Sequence, residues 1–161
     1  MKRIALFGFL CFALATGFGC KVKDKGPVKR VVMCAGKVFY DMNEARGEPD
    51  GFEVALVRVE QLYPFPLELL IEVLDRYPNA TELVWCQEEP QNQGAWYQIR
   101  HQLQKTLKSN QQLFYAGRHA SSSPATGYFQ VHVQEQKALV ETALTPGAGE
   151  LQRAHRPENL E

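Results

Sequence analysis

The sequence predicts an α/β fold, a three-layer α/β/α sandwich built on a mostly parallel sheet. Three observations lead there. Short apolar runs recur along the chain, continuous at Val31–Ala35, Leu83–Cys86 and Leu113–Ala116 and broken by Arg58 in Val54–Val59, and such runs suit strands buried on both faces. Each run is followed by a segment whose apolar residues recur at helical spacing. The two kinds of segment alternate, as crossover connections between parallel strands require.

Taken in order, Val31-Val32-Met33-Cys34-Ala35 is the first strand, and Gly36 opens a helix whose inner face should carry Val38, Met42 and Ala45. Gly36-Lys37 does not make a phosphate-binding loop, because Val31 stands where the upstream glycine is required and Val38 where the hydroxyl is needed. Gly47-Glu48-Pro49-Asp50-Gly51 is dense in turn formers and predicts an exposed loop before the second strand. Tyr63-Pro64-Phe65-Pro66 stiffens the next connection. Pro66 suits the first turn of a helix, and Leu67, Leu70, Ile71 and Leu74 follow at the spacing of one apolar face. Tyr77-Pro78-Asn79-Ala80 stops that helix ahead of the third strand, Leu83–Cys86.

Pro90 ends the third strand's ladder, Asn92-Gln93-Gly94 turns the chain, and a helix should begin near Gly94, carrying Trp96, Ile99, Leu103 and Leu107. After the fourth strand, Gly117 to Gly127 forms a loop. A final helix spans about Val131 to Leu144, with Leu139, Val140, Ala143 and Leu144 inward.

The chain has 161 residues, 45% hydrophobic and 22% charged, the usage of one ordinary globular domain. Its 18 basic and 18 acidic residues cancel, so no global field attracts nucleic acid or an acidic membrane surface. The four cysteines, Cys11, Cys20, Cys34 and Cys86, show neither zinc-site spacing nor disulfide-scaffold density. Cys34 and Cys86 fall inside apolar strands, where they should behave as small buried thiols in a reducing compartment.

Four segments divide the chain: residues 1–20 form a signal-like apolar leader, 21–29 a charged linker, 30–144 the α/β domain, and 145–161 a polar tail with little to bury. The leader has a basic start, Met1-Lys2-Arg3, then an apolar run. Gly17-Phe18-Gly19-Cys20 resembles a lipoprotein cleavage box, with Gly17 where leucine is usual. A body with free strand cysteines argues instead for the cytoplasm, with export or lipid anchoring through the leader as the alternative.

Two loops at the carboxyl ends of strands are the places to look for function, since open α/β sheets put their contacts there. The first contains Gln87, Glu88, Glu89, Asn92, Gln93 and Gly94. Paired carboxylates can do acid–base work, but adjacent residues leaving a strand point apart, so an interface role is expected. The second contains Arg118, Ser121, Ser123 and Thr126. Hydroxyls beside a guanidinium can hold a phosphate or carboxylate, while the plainer reading pairs Arg118 with a nearby carboxylate. Neither loop offers a catalytic residue, a cofactor-binding residue or a metal site.

Five blocks in this order, Lys29 to Asp41, Val57 to Pro66, Val84 to Tyr97, Tyr115-Ala116-Gly117-Arg118 and Ser123 to Gly127, resemble the C-terminal domain of the thiamine diphosphate-dependent decarboxylating component of 2-oxoglutarate dehydrogenase. The resemblance covers about residues 28–144, leaving the first 27 residues and the tail unmatched. It implies a transketolase C-terminal-domain-like fold in a homodimeric enzyme of the tricarboxylic acid cycle. In that family thiamine diphosphate and Mg sit between the two preceding domains, at a Gly-Asp-Gly segment that this chain does not contain. The family's catalytic histidines also lie elsewhere, so His101, His119, His132 and His155 inherit no role.

The implied partners are the remaining domains, the homodimer partner and the lipoyl succinyltransferase component of the complex. Relatives in which this domain helps to form an acetyl-CoA or nucleotide site point to the Arg118 loop. There His119 replaces a common proline, and the serine run is altered at Ser122. The expected function is therefore a truncated fragment that contributes domain and dimer interfaces rather than catalysis. The alternatives are a stand-alone assembly or acyl-CoA/nucleotide-binding regulatory module, and an exported lipoprotein that reuses the domain.

Overall fold

The computed structural model describes residues 27–47 and 53–147 and the backbone of 152–153. The leader of residues 1–20, most of the linker and most of the tail lie outside the described residues. Within them, strand and helix alternate: β1 (Arg30–Cys34), α1 (Val38–Arg46), β2 (Val54–Arg58), α2 (Leu67–Leu74), β3 (Glu82–Cys86), α3 (Trp96–Lys105), β4 (Gln112–Ala116), α4 (Phe129–Leu144) and β5 (Gln152–Arg153).

The sheet order is β2-β1-β3-β4-β5. The first four strands are parallel and β5 is antiparallel to β4. The polar tail therefore contributes a short edge strand, which its composition did not predict: edge pairing needs backbone N–H and C=O groups, not apolar side chains.

Because successive strand residues face opposite sides, the sheet feeds two cores. Val31, Met33, Leu83, Trp85, Leu113 and Tyr115 pack under α2 and α3. Val32, Cys34, Val84, Cys86, Phe114 and Ala116 pack under α1 and α4. These are the three layers expected. In α3, Trp96, Ile99 and Leu103 are buried, each large apolar side chain contributing about 1.5–3 kcal/mol over exposure.

Some sequence-based expectations need correction. Val28 is buried in the core and the Lys29 N–H donates to Glu53 O at 2.8 Å, so the domain starts two residues inside the supposed linker. Ala45 is exposed rather than on the inner face of α1, because nine residues of helix turn only Val38 and Met42 to the sheet. Ile71 is likewise exposed on α2. Helix α3 starts at Trp96, after the turn closed by Gly94, and α4 starts at Phe129, two residues early.

One buried charge ties the layers together. Arg30, fully buried, donates from Nε to Glu82 Oε2 at 2.6 Å and from NH1 to the carbonyls of Thr142 and Ala143 at 3.0 and 3.1 Å. It thereby satisfies carbonyls at the C-terminal end of α4, where a cation is favoured.

The chain reverses its winding between β1 and β3: β1 continues into α1 on one face and β3 into α3 on the other. The loops after these two strands consequently flank the crevice where such folds place their sites.

Candidate functional site

Gln87 is the keystone of the first loop. The residue is 3% exposed and its amide is fully used: Oε1 accepts from the Trp85 indole N–H and from the Trp96 backbone N–H, both at 3.0 Å. Its Nε2 donates to Glu89 O at 3.2 Å and Pro90 O at 3.1 Å. One side chain thus closes the loop onto the first turn of α3. The conformation needs Gly94, since a Cβ there would lie 2.2 Å from Gln87 Nε2.

The two carboxylates part company, as adjacent residues leaving a strand should. Glu89 is exposed, and its carbonyl is the part that faces the domain. Glu88 turns toward the switch point, where Oε1 accepts from Lys37 Nζ at 3.0 Å and Gln136 Nε2 at 2.9 Å. Asp41 joins them, with Oδ2 accepting from Lys37 Nζ at 3.0 Å and Gln136 Nε2 at 2.8 Å.

Arg118 extends the same network. Its Nε donates to Glu135 Oε2 at 2.9 Å, NH1 to Glu88 O at 2.5 Å, and NH2 to Gln136 Oε1 at 3.2 Å. NH2 also lies 3.0 Å from His132 Nδ1. A guanidinium only donates, so that nitrogen can serve only as the acceptor in this contact. The Arg118 side chain is 9% exposed. It clasps the first turns of α4 to the third-strand loop instead of facing the serines.

The two loops, read separately from the sequence, form one layer. Gln91 N donates to Arg118 O at 3.1 Å. Asn92 Nδ2 and Gln93 Nε2 donate to Ser121 O at 2.9 and 2.7 Å, while Ser121 N donates to Asn92 Oδ1 at 2.9 Å. The Tyr115 hydroxyl donates to Arg118 O at 3.1 Å from beneath. Ser123 Oγ donates to Ala125 O at 2.7 Å, and among the described residues the buried Thr126 hydroxyl has no hydrogen-bond partner. Between this loop and α4 lies a cavity of about 760 Å³, lined by Tyr115, Arg118, Ser121, Thr126, Tyr128 and Leu139 among others.

Electrostatics match the geometry. Hydrogen bonds from Lys37 to Asp41 and Glu88 raise the lysine above its usual value. Burial pushes the Asp41 carboxyl up, but the bonds from Lys37 and Gln136 outweigh it and the net shift is downward. Burial raises the Cys34 thiol to about 12 and drives Cys86 and Tyr115 upward as well. Cys34 and Cys86 are free and stand opposite one another in register. Both are neutral and poorly nucleophilic at physiological pH.

Residues 16–144 match the family described as 2-oxoglutarate dehydrogenase C-terminal. The chain belongs to that family. The match begins inside the stretch read as leader, further upstream than residue 28. Among curated relatives, the 2-oxoglutarate dehydrogenase E1 component of Cupriavidus necator is 53% identical over 116 residues, 72% of this chain and 12% of the relative. That of Haemophilus influenzae is 52% identical over 122 residues, 76% of this chain and 13% of the relative. The Coxiella burnetii E1 component is 47% identical over 123 residues, again 13% of the relative. The chain thus spans about an eighth of the length of the curated relatives it matches.

For this member of the 2-oxoglutarate dehydrogenase C-terminal family, the described residues do not fit a magnesium–diphosphate group. Asp41 and Glu88 are already engaged by Lys37 and Gln136. Among the described residues no three His, Cys, Asp or Glu side chains gather as a metal site.

Sequence reasoning found Gln87, Glu88 and Arg118 but missed their anchors Lys37, Asp41, His132, Glu135 and Gln136. A trace was present in the spacing: His132 and Gln136 share a helical face with Leu139 and Ala143. Polar residues on a core-facing stripe mark a buried network.

Proposed function

We propose that this chain serves as the C-terminal domain of a 2-oxoglutarate dehydrogenase E1 component. In that role it supplies contact surfaces to the remaining domains and the homodimer partner, and it leaves the reacting groups to them. The remaining domains hold thiamine diphosphate and magnesium, and the assembled enzyme decarboxylates 2-oxoglutarate in the tricarboxylic acid cycle and passes the succinyl group to the lipoyl succinyltransferase component. The observation that carries this reading is the use of the polar side chains at the strand ends. Gln87, Glu88 and Arg118 all point back onto the domain and set the shape of its edge. That is what a wall needs and what an acid–base pair cannot be.

The test is decarboxylation of 2-oxoglutarate with thiamine diphosphate and magnesium, by the purified chain alone and by the chain added to an E1 component lacking the matching segment. Activity is expected only in the mixture. Turnover by the chain alone would overturn the proposal.

The cavity beside Arg118 favours a second reading, a module that binds an acyl-CoA or nucleotide. Calorimetry with acetyl-CoA decides it, and no heat removes it. The free strand thiols support a cytoplasmic location. Mass spectrometry of the mature amino terminus tests that location, because lipid on Cys20 would place the chain at a membrane.

A further inference from the structure

A groove of about 900 Å³ runs between α1 and α4 on the outer face of the domain. Its apolar lining comes from Ala45 on α1 and from Phe129, Val133, Val140 and Leu144 on α4. The α4 residues fall at helical spacing, so they make one stripe along fifteen residues of rise, about 22 Å.

The lower part of this stripe is closed, with Val140 buried in the core, whereas Phe129 is 79% and Val133 47% exposed. Ala45 is the residue whose spacing assigns it to the inner face of α1 and which the fold leaves exposed. A pattern that calls for burial, meeting a fold that does not bury it, marks a surface completed by something else.

The rim indicates what that is. Asp41 is engaged by Lys37, which leaves Glu44 and Glu141 against Lys137 among the described residues that line the groove. The polypeptide that could cover the groove is also indicated: this chain accounts for only 12–13% of each E1 relative. We infer that the α1–α4 groove seats a helical segment, apolar on one face and basic at its flanks, contributed by the part of an E1 polypeptide that lies outside this chain. The inference rests on the proposed function and specifies where that contact is made. Such a helix lays apolar anchors at successive turns into the trough, while its basic residues meet Glu44 and Glu141.

The experiment places residues 28–144 of this chain in the Haemophilus influenzae E1 component in exchange for the matching segment, and compares that chimera with the full chain alone. Val133→Cys reports on the groove and Lys105→Cys, at the end of α3, serves as control. Alkylation is located by peptide mass spectrometry. Val133→Cys should react at least tenfold more slowly in the chimera, with Lys105→Cys unchanged.

Equal rates at Val133→Cys in a chimera that decarboxylates 2-oxoglutarate would overturn the docking site and leave the proposed function standing. A folded chimera without that activity would remove the proposed function and the inference with it. Should the chimera fail to assemble, the same labelling is read on the full chain mixed with E1 lacking that segment, where an unprotected Val133→Cys again overturns the groove. Self-association of the full chain in sedimentation, abolished by Val133→Glu, would assign the groove to a second copy and overturn the E1 segment as its occupant.

Discussion

Gln87 and Arg118 stand one and two residues beyond the ends of neighbouring strands, and each ties several groups together. Gln87 does so with a neutral amide sealed under α3. Arg118 does so with a charge at the edge, holding the first turns of α4. An amide offers two donors and two acceptor lone pairs, so it can satisfy an indole, a backbone N–H and two carbonyls at once without a counter-ion. A guanidinium only donates and must find a carboxylate, so it draws in Glu135 and, through Gln136, Asp41 and Glu88. The neutral clasp should therefore matter to folding, and the charged clasp to how the edge is presented.

The largest effect expected is from Gln87→Leu. It strands the Trp85 indole N–H, the Trp96 N–H and two carbonyls, at a cost of about 4 kcal/mol. Urea unfolding measures it, and a loss below about 1 kcal/mol would mean that the amide is dispensable.

Next comes Gly94→Ala, at about 2 kcal/mol, because the new methyl meets a pinned side chain. That cost should largely vanish in a Gln87→Ala background, so a double-mutant cycle reads the contact directly.

Arg118→Leu should cost about 2 kcal/mol, mostly from leaving Glu135 and Glu88 O unpaired. Its cost should shrink in 1 M salt, where charge interactions at the edge are screened, whereas the Gln87→Leu cost should not. Identical salt responses of the two variants would erase the distinction between them.

The smallest effect is from Lys37→Met, about 0.5 kcal/mol at neutral pH because the lysine is mostly exposed. Its signature is in acid. Asp41 titrates below its ordinary 3.8 in the folded chain, so its contribution is full above that value and is lost as pH falls through the lowered one. Without Lys37, melting temperature between pH 2 and 5 should fall less steeply than in the parent chain.

The apolar runs at Val31, Leu83 and Leu113 determined by themselves that buried strands alternate with helices, since a short stretch with no polar residue can only lie between two covered faces. The same local pattern located both strand-end loops and Pro90's break. It did not fix the order β2-β1-β3-β4-β5, because parallel pairing joins strands through crossovers that leave no trace in spacing.

Nor did it reveal that Asn92, Gln93 and Ser121 share one layer, or that Lys37, Asp41, Glu88, Arg118 and Gln136 converge. Asp41 and Gln136, which share a hydrogen bond, are 95 residues apart. They meet only because the winding reverses between β1 and β3 and swings α4 across the same edge. Local chemistry is written in neighbours along the chain, whereas a polar network that closes over long loops exists only once packing has settled which ends come together.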